Sequence, residues 1–101
     1  MSSLLERYDR EMASLPARWH HLAVQVDVLQ PERAAAVSAL VTQQPGFRVR
    51  RTDARSGVVA FAVPAASGRQ PLLRLRALLV ELERLEAGAA VHWTAEVDRP
   101  G

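Results

Sequence analysis

The side chains that could do chemistry in this 101-residue chain are few and scattered. Three histidines are present, His20 and His21 side by side and His92 far down the chain. A metal centre needs several such ligands converging on one point. Neighbouring residues on a strand point to opposite faces, so His20 and His21 make no chelating pair. Cysteine is absent, which removes thiolate metal sites, disulfides and cysteine nucleophiles together. A phosphate-cradling loop would place glycines directly after a strand, whereas the first crossover reads Leu29-Gln30-Pro31-Glu32-Arg33. His92 and Glu96 share one face of a strand, yet at four residues apart they stand too far from each other for direct proton relay. The pattern points away from an enzyme, and no catalytic residue, metal or cofactor is expected.

Charge says more about partners. All thirteen basic residues are arginine, and residues 46–76 hold seven of them against the single acid Asp53. Residues 77–98 reverse this, with Glu81, Glu83, Glu86, Glu96 and Asp98 against Arg84 alone. The chain also lacks Lys, Ile and Asn, a bias that makes the arginines weak evidence of phosphate binding. RNA-binding sheets of comparable layout stack bases on aromatic side chains of an inner strand. Here that stretch offers only Phe61, on the core parity, so nucleic acid is not an expected partner. The longest apolar stretch, Val58 to Ala66, has nine residues including Pro64, far below the roughly 20 that span a bilayer. No secretory signal is legible in the opening residues, and the expected setting is the cytoplasm without a membrane.

The elements that must position these groups follow from periodicity. Leu4, Leu5, Tyr8, Met12 and Leu15 recur on one helical face; Ser3 with Glu6 fits a capping box, and Pro16 supplies the stop. Leu22, Val24, Val26 and Val28 then alternate with Ala23, Gln25 and Asp27 as a half-buried strand. Pro31 opens a second helix with its stripe at Ala34, Val37, Leu40 and Val41, ended by Pro45 and Gly46. Phe47 and Val49 begin a strand that the turn Asp53 to Gly57 connects to the apolar run Val58 to Val63. After a connector over 64–71, leucines from Leu72 to Leu85 mark the longest helix, capped near Gly88. Val91, Trp93, Ala95 and Val97 alternate through a last strand. The order is β-α-β-β-α-β, so the expected fold is α+β, a ferredoxin-like sandwich with an antiparallel four-stranded sheet and an extra N-terminal helix. Residues 1–21 form that helix and its connector, and residues 22–98 the ferredoxin-like domain. First and third strands are expected at the centre, with both domain helices on one face.

That layout leaves the other face open. Strict alternation gives it Ala23, Gln25, Asp27, Arg48, Arg50, Ala60, Ala62, His92, Thr94 and Glu96, polar groups around small residues. An apolar dimer partner would call for more Leu, Val or aromatic positions, though a homodimer stays open. The N-terminal stripe, Leu4, Tyr8, Met12 and Leu15, must bury somewhere and with Trp19 would fit over the small alanines or dock on another chain.

The stretch from Val26 to Val63 carries the Glu32-Arg33 helix start, the Pro45-Gly46 stop followed by Val49, and the turn Asp53-Ala54-Arg55-Ser56-Gly57 before an apolar strand. In these it resembles the NapD family, small ferredoxin-like cytoplasmic chaperones that bind the twin-arginine signal peptide of periplasmic nitrate reductase. The resemblance implies a non-enzymatic peptide-binding module for an exported redox enzyme. Gln25, Asp27, His92, Thr94 and Glu96 are the candidate peptide contacts, the carboxylates answering arginines of the peptide. The β-α-β-β-α-β order and Gly46-Phe47 before the second strand are also similar to amino-acid-binding regulatory domains of the ACT type. That likeness implies a regulatory or assembly subunit of a cytoplasmic enzyme complex, docking through Leu4, Tyr8, Met12, Leu15 and Trp19.

Overall fold

The computed structural model describes residues 4–14, 21–64, 70–86 and 88–96. Its elements run α1 (Leu4–Ala13), β1 (His21–Asp27), a 3-10 turn (Pro31–Arg33), α2 (Ala34–Thr42), β2 (Arg48–Asp53), β3 (Val58–Pro64), α3 (Gln70–Leu85) and β4 (Ala90–Glu96). The fold is α+β, a four-stranded antiparallel sheet with three helices, compatible with a ferredoxin-like sandwich. Strands lie in the order β2-β3-β1-β4, so β1 and β3 are central. Ser3, Leu15, Pro16, Trp19, His20 and Val97, all assigned roles from the sequence, lie outside the described residues.

Alternation sets the two faces of β1, β3 and β4. Leu22, Val24, Val26, Val59, Phe61, Val63 and Val91 are all buried and meet Val37 and Val41 of α2 and Leu75, Leu79 and Leu82 of α3 in one core. Burying one such side chain stabilises by roughly 1.5 to 3 kcal/mol, which outweighs the few tenths that the local propensities differ by. Phe47 stacks on Phe61, ring centroids 6.2 Å apart, and closes the core at the β2 edge. Several boundaries differ from the pattern: Pro31 opens a 3-10 turn ahead of α2, β2 starts at Arg48 and β4 at Ala90. β1 starts at His21, the last residue assigned to the connector, and α3 starts at Gln70 because Pro71 sits buried in its first turn, where the missing N–H has no helical partner to lose.

The β2–β3 turn is built by one carboxylate. Asp53 Oδ1 accepts the N–H groups of Arg55 at 2.9 Å and Ser56 at 3.3 Å. These bonds, with Arg51 beside it, hold the Asp53 carboxyl below the usual carboxylate range. β2 itself is irregular. Its register against β3 shifts between Val49 and Arg51, a bulge that puts Arg50 and Arg51 together opposite Ala60.

Candidate functional site

The open face is assembled from small residues in the middle and polar residues around them. Register stacks Ala23 between Ala62 and Thr94, and Gln25 between Ala60 and His92, so these six share one face. At one end Asp27 accepts from Gln25 Nε2 at 3.2 Å and has His92 Nε2 at 3.8 Å. At the other end Glu96 lies 2.9 Å from His21 Nε2, and Arg50 reaches across β3 to both of them. Between them runs a groove of about 220 Å³ lined by Ala23, Gln25, Arg50, Ala60, His92 and Thr94. The small alanines leave room for Arg50 to reach across the sheet, since longer side chains would occupy its path.

All five candidate peptide contacts, Gln25, Asp27, His92, Thr94 and Glu96, fall on this face; Gln25, His92 and Thr94 line the groove, and Asp27 and Glu96 lie outside its lining, paired with His92 and His21. Two participants, His21 and Arg50, were not singled out as contacts from the sequence. His21 shares the parity of Ala23 and Gln25, a signal visible once the strand is extended back by one residue. Arg50 Nη2 stands 2.9 Å and Arg50 Nη1 3.9 Å from His21 Nε2 and Glu96 Oε1 respectively. His21 Nε2 therefore faces a donor and a carboxylate together. As a neutral ring it accepts from Arg50 or, in the other tautomer, donates to Glu96, and as a cation it donates to Glu96. The bulge also changes the face. Strict alternation sends Arg51 to the core side, whereas it lies opposite Ala60 and pairs with Asp53 at 3.3 Å.

The N-terminal stripe lies elsewhere. Its described part does not cover the alanines; α1 lies on the helix side, against α3 and the core face of β4. Tyr8 is 2% exposed and donates to the Leu72 carbonyl at 2.6 Å. Its ring meets Trp93 edge to face, centroids 5.6 Å apart, and the Arg7 guanidinium stacks 4.5 Å over the same indole. Leu4 and Met12 pack partly buried against this core. The described part of the proposed docking stripe is thus covered by the chain itself, and Leu15 and Trp19 lie outside the described residues. Asp9 completes the seam with a bidentate pair to Arg76, at 2.9 and 3.0 Å, which holds the Asp9 carboxyl below its ordinary range. That pair also accounts for an arginine early in α3, where the helix dipole disfavours it.

Among the described residues no three His, Asp or Glu side chains gather as metal ligands. Among the described residues no helix is long and apolar enough to cross a membrane. No family model, no curated protein and no solved structure matches this chain.

Proposed function

We propose that this chain is a ferredoxin-like, non-enzymatic binding module whose open sheet face receives an arginine-bearing peptide, and that the peptide is the twin-arginine signal segment of an exported redox enzyme, met in the cytoplasm. One observation carries the reading: Arg50 already lies across the alanine floor toward Glu96, so the face accommodates a guanidinium at a carboxylate. Asp27 and Glu96 stand at opposite ends of the β1–β4 pair with side chains 37% and 49% exposed, so both can meet a second charged partner. An extended or helical segment can approach closely because Ala23, Ala60 and Ala62 raise only methyl groups from the sheet.

The reading is tested by titrating the full chain with a synthetic twin-arginine peptide at two ionic strengths. Replacing Asp27 and Glu96 together by alanine is expected to weaken binding roughly tenfold at low salt and less at high salt, because exposed pairs are screened over a Debye length of about 8–10 Å. Arg50→Gln should act in the opposite direction, since it removes the internal competitor for Glu96. Affinity indifferent to all three changes would remove the open face from the argument. A peptide-free complex with a cytoplasmic enzyme would favour the regulatory or assembly subunit in its place.

A further inference from the structure

Two buried side-chain polar atoms lack a hydrogen-bond partner among the described residues, Arg7 Nε and Glu86 Oε2. Both residues line one pocket of about 310 Å³, where α1 and the last turn of α3 meet the start of β4. Leu4, Leu82, Glu83 and His92 contribute to its walls. An unpaired polar atom at such depth costs about 1–3 kcal/mol and calls for an occupant or a compensating group.

The two residues differ in what they still need. Arg7 donates to the Val91 carbonyl, lies over Trp93, and has Glu11 at 3.6 Å, so its charge is answered within the chain. Glu86 has no ion-pair partner among the described residues. It is 5% exposed, its Oε1 accepts the Gln30 N–H at 2.7 Å, and its other oxygen accepts nothing. Glu83 likewise has no ion-pair partner among the described residues. Both carboxylates stand at the C-terminal end of α3, where the Arg33 guanidinium donates to the Leu85 carbonyl and answers the helix end but forms no ion pair with either of them among the described residues. The unmet charge of the pocket is therefore negative.

We propose that this pocket binds an organic monocation, an alkylammonium or alkylguanidinium group held by Glu86 with Glu83 and laid with its stem on Leu4 and Leu82. A bare metal ion fits less well, since two leucines line the pocket and, although His92 also lines it, no three His, Asp or Glu side chains gather as ligands among the described residues. The inference does not rest on the open-face reading. The cation is either a free small amine or guanidine, or the basic side chain of a docked segment, and His92 lines both this pocket and the open groove.

The test is an amide NMR titration of the full chain with n-butylguanidinium, and separately with a capped Gly-Ser-Arg-Ser-Gly peptide. Saturable shifts at Gln30, Gly88 and Ala89 at millimolar concentration or below are expected. Glu86→Gln keeps an acceptor for the Gln30 N–H, so the fold should persist while affinity falls roughly tenfold or more. Glu83→Gln, at a less buried position, should lose severalfold and serves if the first variant does not fold. Tighter binding of the peptide assigns the cation to a partner side chain, and tighter binding of butylguanidinium assigns it to a free ligand. Absence of saturable shifts at these amides, or variants that bind both probes as the parent does, overturns the proposal.

Discussion

Gly57→Ala should cost about 2–4 kcal/mol, a thermal midpoint lower by roughly 10–25 °C for a domain of this size. Gly57 has φ +73°, where an L residue pays for its Cβ by about 1–2 kcal/mol. Space adds to conformation here. A Cβ on Gly57 would stand 2.9 Å from the Val28 carbonyl, 3.0 Å from Val28 Cγ2 and 3.2 Å from the Pro31 Cα, so backbone rather than a flexible side-chain tip must move. Gly57 cannot yield freely, because its N–H donates to Asp53 at 2.9 Å and its carbonyl accepts from Val28 at 2.8 Å. The displaced loop carries Gln30, whose N–H is the hydrogen bond to Glu86, so the strain would reach the cation pocket as well. Gly46→Ala supplies the comparison. It shares the positive φ, at +82°, yet its Cβ would meet only the Pro64 ring at 3.2 Å, and about 1–2 kcal/mol is expected. Equal losses in the two variants, read by thermal unfolding, would show that the approach of the turn to Val28 carries no energetic weight.

The same turn marks how far the sequence could be followed. Asp53 to Gly57 announced a hairpin through residue chemistry alone, and alternation in Leu22, Val24 and Val26 separated core from open face with no ambiguity of period. Those signals are local, set by one backbone geometry at a time. The bulge at Arg50 is not, because alternation on each side of it remains intact and only pairing with Ala60 reveals the extra residue. The position of α1 was beyond reach for a related reason. Amphipathicity requires that Tyr8 and Met12 bury, but any apolar surface satisfies it, whether the alanine floor, another chain or the seam by α3. The clue lay at the other end of the sequence. Trp93 has core parity on an edge strand that neither domain helix fully covers, and a buried tyrosine hydroxyl needs an acceptor such as the Leu72 carbonyl. Glu86 hid for the opposite reason: near a glycine at the end of a helix it reads as solvent-facing, and its burial arises only when the Gln30 loop folds over it.

Raising the pH above 10 should destabilise the protein through a single residue, and the residue composition makes that readable. The chain has no lysine and no cysteine, and Tyr8 is its one tyrosine. Between about pH 9 and 12 no other side chain changes charge, because arginine holds its proton beyond that range. Burial pushes the Tyr8 hydroxyl well above the ordinary tyrosine range, the Asp9 carboxylate pushes it further, and Arg76 only partly opposes them. The folded state therefore keeps a proton that the unfolded chain, titrating near 10, gives up. Stability is complete below pH 10 and falls by about 1.4 kcal/mol for each unit above it, the slope of one proton. Urea midpoints across this range measure it directly. Tyr8→Phe should start lower by about 1 kcal/mol at neutral pH, having lost the bond to the Leu72 carbonyl, and then stay level where the parent declines. Tyr8→Ala removes the ring that joins α1 to Trp93 and should cost about 3–5 kcal/mol at any pH. An alkaline decline that persists unchanged in Tyr8→Phe would place the hydroxyl in water and undo the docking of α1. The slope should also be the same at dilute and concentrated protein, since the acceptor and the indole both belong to the chain that carries Tyr8; a dependence on concentration would mean that α1 docks on a second copy instead.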